Sequence, residues 1–189
     1  MNRRLYAIHR WLALAAMAQL AVWTATGLFF AVVPIESVRG EPSTRETAPA
    51  PVDIAALGPW PSSLQGATEV TLRIVDGRPL LAATMGERRM LVDARTGRPT
   101  EITREMASRI ARADQSGSPA VQSITRIEDA PVEYRGKPVP AWCVALDDGA
   151  GTRVYVDALS GKVTARRNDL WRVYDFLWSL HIMDYGERE

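Results

Sequence analysis

Two histidines, one cysteine and a scatter of aspartates are what this 189-residue chain offers to nucleophilic or metal chemistry. His9 and His181 stand at opposite ends of the sequence, so no Ser/His/Asp or Cys/His arrangement can be drawn, and neither zinc-ligand spacing nor a phosphate-cradling glycine loop occurs. Cys143, between Trp142 and Val144 in an apolar run, has no partner for an intramolecular disulfide and reads as a small buried hydrophobe. Asp147 and Asp148 sit beside Gly149 and read as a turn. Asp93 and Asp157 have no second carboxylate or histidine at ligand spacing, which leaves them turn residues as well. The expectation is a chain that does not catalyse by itself, with no catalytic and no metal-binding residue assigned.

The elements that hold these residues begin with an apolar run. From Trp11 to Val33 about 23 residues pass without a charge, matching the roughly 20 needed to cross a hydrocarbon core. Arg3, Arg4 and Arg10 precede the run, and Glu36, Arg39, Glu41, Arg45 and Glu46 follow it with mixed sign, which places the N-terminus in the cytoplasm. A cleaved signal peptide would have a shorter apolar region and a small-x-small exit; this run leaves through Phe29, Phe30 and Pro34, so it reads as an uncleaved anchor. Gln19, Thr24, Thr26 and Gly27 mark a face that could pack on a partner helix, although Gly27 is equally well a harmless small residue. Net charge is +1, from 23 basic and 22 acidic residues, so no field argues for nucleic acid as a partner.

Beyond the anchor the organisation is 1–10 as a cytoplasmic N-terminus, 11–33 as a transmembrane helix, 34–51 as a polar, proline-bearing linker, and a folded part from about Val52. Two stretches there echo each other: MLVDARTGRPTEI from Met90 and VYVDALSGKVTAR from Val154, with Asp93 and Asp157 64 positions apart. Asp-Ala-x-Thr/Ser-Gly between β-prone runs encodes a tight hairpin, because the carboxylate can accept from the turn backbone and Gly takes the left-handed position. Each hairpin follows another β-prone segment with its own break, at Asp76-Gly77 in Val70–Ala83 and around Tyr134-Arg135-Gly136 in Ser123–Leu146. A helix capped by Thr103, with Met106, Ala107, Ile110 and Ala111 as its apolar stripe, precedes the second sheet; VDIAAL before Gly58-Pro59 allows barely two turns ahead of the first. The fold class is therefore α+β, with a unit over 52–102, a second over 103–167, and a closing amphipathic helix over 168–185.

That closing helix runs from an Asn168 or Asp169 cap to a stop at Gly186. Arg172, Asp175 and Ser179 make a narrow polar stripe on a surface otherwise rich in Trp, Tyr, Phe and Leu. Two placements are open: at the membrane interface, with Trp11, Trp171, Trp178 and Tyr185 in the headgroup belt, or as a core helix capping the sheets.

Together these residues resemble the PepSY-associated transmembrane family of bacterial proteins, often described as iron-regulated membrane proteins. The resemblance is carried by His9-Arg10-Trp11 at the start of the anchor followed by Trp23 and Thr26-Gly27-Leu28, by the repeated Val-Asp-Ala-x-Thr/Ser-Gly hairpins, and by Asp175-Phe176-Leu177-Trp178 and Leu180-His181-Ile182-Met183-Asp184-Tyr185. Ala13 departs from it, standing where the family carries glycine. In longer relatives the closing segment leads into a second transmembrane helix. The resemblance implies two PepSY modules in the periplasm, anchored in the inner membrane by one span.

It also implies a place in membrane electron transfer or iron assimilation, with His9 and His181 as the nominated ligands of a haem b. Imidazole is a good axial ligand, but these two should sit at opposite faces of a span roughly 30 Å thick, so haem would require histidines from a partner chain. The expected role is a non-catalytic accessory whose partners are the lipid bilayer and a membrane protein or a second copy. A periplasmic binding or regulatory module, pairing a sheet edge with an extended peptide, is the alternative. A purely structural assembly subunit requires the least chemistry.

Overall fold

The computed structural model describes residues 3–45, 51, 53–75 and 77–184. Helix α1 spans Arg3–Val32 and is long and apolar enough to cross a membrane, a property shared by anchors and signal helices. It starts eight residues before Trp11 because Arg3–Arg10 contain no glycine or proline to interrupt it, and it ends where Pro34 removes a backbone donor. Its side chains are exposed over most of its length, and Thr26 alone is buried.

The remainder is α+β, built on two antiparallel four-stranded sheets. The first contains β1 (Glu69–Val75), β2 (Arg78–Met85), β3 (Arg88–Asp93) and β4 (Pro99–Thr100), in that spatial order. The second contains β5 (Ala120–Ile127), β6 (Ala141–Asp147), β7 (Arg153–Asp157) and β8 (Val163–Arg167), again in chain order. Both echoing sequences form the expected turns. Asp93 Oδ1 accepts from the amides of Arg95 and Thr96, each at 2.9 Å, and Asp157 Oδ1 accepts from the Leu159 amide at 2.9 Å. Gly97 and Gly161 take φ of +71° and +67°, where a Cβ would be strained.

One helix serves both sheets. Helix α3 (Arg104–Asp114) is capped by Thr103 Oγ1, which accepts from the Met106 amide at 3.3 Å. Its stripe of Met106, Ala107 and Ala111 packs between Leu80 and Leu91 of the first sheet and Val144, Val154 and Val156 of the second. The expected pair of helix-plus-sheet units is corrected at this point. Between Asp53 and β1 only two 3-10 turns form, Ile54–Ala56, which Gly58-Pro59 stops one turn after its Asp53 cap, and Ser62–Leu64. The outer face of the first sheet is covered instead by Leu57, Leu64 and Ala67 from the loop before β1.

The stretch read as a linker is docked as far as Arg45. A short helix, α2 (Ile35–Val38), buries Val38, and the chain then bridges to the end of α3: the Arg45 amide donates to Asp114 O at 2.8 Å and the Ser116 amide to Ser43 O at 2.8 Å. A single apolar residue cannot produce a period, so the sequence pattern missed this strap. The closing helix α4 (Asp169–His181) is capped by Asn168 as expected but stops short of Gly186. Met183 adopts φ +55°, its amide donates to Leu180 O at 3.3 Å, and the Asp184 amide donates to Ser179 O at 3.0 Å. This is a Schellman stop with methionine where glycine is usual. Tyr185, Gly186, Asp76 and Val52 lie outside the described residues.

Candidate functional site

Helix α4 is held between two surfaces, α1 on one side and the second sheet on the other. On the α1 side it runs antiparallel: Tyr174 packs on Phe29 and Phe30, Trp178 on Phe30, and His181 on Phe30 and Trp23. Thr26 Oγ1 and His181 Nδ1 lie 2.7 Å apart, and the indole of Trp23 donates to His181 O at 2.7 Å, satisfying a carbonyl that the helix end leaves open. The Thr26 hydroxyl also donates to Val22 O at 2.8 Å. The hydroxyl thus engages Nδ1 of the ring, which leaves Nε2 as the nitrogen not held by this contact. Gly27 makes room for the ring, since a Cβ there would stand 3.9 Å from His181 Cε1.

On the other side α4 walls a cleft of about 1450 Å³ against the outer face of β5–β7. The polar stripe legible in the sequence, Arg172, Asp175 and Ser179, faces this cleft. Glu133, from the turn Val132–Tyr134, is its centre: it accepts from the Tyr155 hydroxyl, from Arg153 Nη1 at 2.6 Å and from Arg172 Nε at 3.2 Å. Arg135 Nη2 reaches Asp175 at 3.2 Å. Burial alone would raise the Glu133 carboxyl, but the Tyr155 hydroxyl and the Arg153 guanidinium more than offset it, and the group is held below its ordinary value. Burial, followed by the bond to Glu133, pushes Tyr155 upward. Glu133 is thus a carboxylate engaged by three donors beside a phenol held in its protonated form, a charged and polar wall of the kind that suits recognition.

The N-terminal end of α4 is pinned to the β6–β7 hairpin. Asp169 N donates to Ala150 O at 2.9 Å and Arg172 Nη1 to Gly151 O at 3.0 Å. Gly151 takes φ +61° in this close approach, where a Cβ would be strained and would also push the Asp169 carboxylate aside. Asp148 Oδ1 accepts from the amides of Ala150 and Thr152, which confirms the turn role read for Asp147-Asp148.

The residues singled out in the sequence are dispersed. His9 is exposed on α1, 17 residues before Thr26, so it lies roughly 25 Å along the helix from the His181 seam. Trp11 is exposed beside Arg10, whose guanidinium is 5.8 Å from the ring centre. Trp171 lines the cleft under the Arg167 guanidinium at 4.2 Å, and Trp178 belongs to the seam. Cys143 lines the cleft half-buried, and burial pushes its thiol up, in keeping with a packing residue. Among the described residues no group of three or more His, Cys, Asp and Glu side chains could hold a metal ion. Glu133 and Arg153 carried no signal in the sequence; only the polar stripe of α4 pointed toward the cleft. No family model, no curated protein and no solved structure matches this chain.

Proposed function

We propose that the chain is a single-pass protein of the bacterial inner membrane, with α1 as its span, the N-terminus in the cytoplasm and a PepSY-type domain in the periplasm. In this reading it is a non-catalytic accessory that binds a membrane-associated protein partner through the cleft between α4 and the second sheet. The observation that carries it is the seating of α4 against both α1, beside Trp23 and Phe30, and the cleft wall, which couples the cleft mechanically to the span. The test is a photo-crosslinking residue placed at Thr125 in the cleft and, as control, at Thr71 on β1, in the full-length protein in its own membrane. A discrete protein adduct from Thr125 alone, lost when Arg172→Ala is added, is the expected result. Equal adducts from both positions would overturn it.

A second reading, membrane electron transfer or iron assimilation with haem b, is favoured by one observation: His181 Nε2 is available inside an aromatic nest of Trp23, Phe30 and Trp178. His9 is too distant to serve the same haem, so the fifth and sixth ligands would come from His181 and a partner chain or second copy. Purification in detergent from haem-replete cells should then give a Soret band that His181→Ala abolishes and His9→Ala spares. A colourless wild type sinks this reading.

A further inference from the structure

Where the edge strands β1 and β8 meet α3, a second cleft of about 510 Å³ opens. Its walls carry Arg45, Arg73, Arg109, Lys162 and Arg166 against a single described carboxylate, Asp114. That carboxylate is already engaged: Arg166 grips both its oxygens, with Nε at 2.6 Å, and Gln115 Nε2 donates at 2.8 Å. Among the described residues Arg45, Arg73 and Lys162 form no ion pair. In a protein with 23 basic and 22 acidic residues such crowding is local, not a consequence of overall charge. Like charges gathered in a concave site focus a positive potential, and guanidinium forks match the oxygens of phosphate and carboxylate groups. Met106 and Ile110 of α3 give the cleft an apolar floor, and its volume suits a small ligand.

We propose that this cleft binds a multiply charged oxyanion of the phosphate type. The strap from Pro34 to Arg45 joins it directly to the end of α1, so the oxyanion can be a free phosphate ester or the headgroup of an anionic lipid. The test is isothermal titration of the detergent-purified full chain with inorganic phosphate, with glycerol phosphate, and with a soluble short-chain phosphatidic acid. Variants are Arg73→Gln/Lys162→Gln and the single Arg45→Gln, with Arg78→Gln/Arg88→Gln on the first sheet as the charge control. Saturable binding that weakens by about tenfold or more in the cleft variants, and is unchanged in the control, is expected. Binding of phosphate and glycerol phosphate identifies a free ester; binding of the short-chain lipid alone identifies a headgroup. The single Arg45→Gln variant, whose side chain is exposed, keeps the test valid if the double variant fails to fold. Absence of saturable heat with all three probes, or equal loss in the control, overturns the proposal.

Discussion

The turn at Asp93 and the turn at Asp157 share one local code and do different work. Each aspartate accepts backbone amides of its own turn, and each turn closes on a left-handed glycine. Asp93 ends there, a partly exposed residue whose hydrogen-bond partners are all local. Asp157 is 3% exposed, and its second oxygen takes the Ser160 hydroxyl at 2.9 Å and Arg89 Nη1 at 2.5 Å. Arg89 lies on β3 of the first sheet and also donates to Val139 O at 2.8 Å, so the second turn ties the two sheets together. The same contrast holds for the glycines. A Cβ at Gly97 would meet Pro61 at an ordinary 3.6 Å, whereas at Gly161 it would meet Ile102 Cδ1 at 3.1 Å and Val75 Cγ2 at 3.2 Å, where the sheets touch across the core. The local code is the same in both turns, and packing makes a joint of only one of them.

The largest way to break this contrast is to remove each carboxylate in turn. Asp157→Ala strips a buried ion pair, and Arg89 loses a charged partner that water can replace only partly, since its side chain is 27% exposed. The expected loss is about 3 kcal/mol, the low end for breaking a buried pair. Asp93→Ala loses only two turn hydrogen bonds and should cost about 1 kcal/mol. Equilibrium denaturation of the detergent-solubilised chain, followed by tryptophan fluorescence, measures both; equal losses would show that Arg89 contributes nothing to the joint.

The glycines come next. Gly97→Ala should cost about 1 to 2 kcal/mol, the price of an alanine in the left-handed region. Gly161→Ala meets that strain and also forces Ile102 and Val75 aside, adding about 1 kcal/mol or more of overpacking. The same denaturation series ranks them, and the ranking fails if Gly97→Ala proves the more costly.

What could be read from the sequence follows the range of the interaction. Asp-Ala-x-Thr/Ser-Gly announces its hairpins because the bonds that form them span two to four residues, and Thr103 and Asn168 announce helix starts for the same reason. The Arg89–Asp157 contact joins positions 68 apart, and an arginine within a strand has no spacing that reveals its partner. The candidate cleft was half legible: the Arg172, Asp175, Ser179 stripe follows helical periodicity, but Glu133 and Tyr155 reach it only through tertiary packing. The stop of α4 was misplaced because Gly186 is the residue that ordinarily ends a helix, while the conformation was taken up by Met183 three positions earlier. The seam between Thr26 and His181 spans 155 positions: the small and weakly polar residues Thr26 and Gly27 marked a helix-packing face, but nothing local told which helix covers it.

The finest test of the contrast is electrostatic and acts on the turn whose carboxylate makes only local hydrogen bonds. Burial would raise the Asp93 carboxyl, but the amides of Thr96 and Arg95 more than offset it, so its folded value lies below the ordinary 3.8. A group depressed on folding stabilises the native state at pH above its unfolded value and loses that contribution as pH falls through 3.8 and then through the lower folded value. Asp93→Asn keeps an oxygen to accept the same amides while removing the charge. Wild type should therefore exceed Asp93→Asn by a constant margin above about pH 5, and the margin should close as the solution is acidified further. The margin should be under about 1 kcal/mol, because a partly exposed carboxylate is screened by water. A margin that grows toward low pH would mean that charge at this turn is a burden, and that its hydrogen bonds are made as well by an amide.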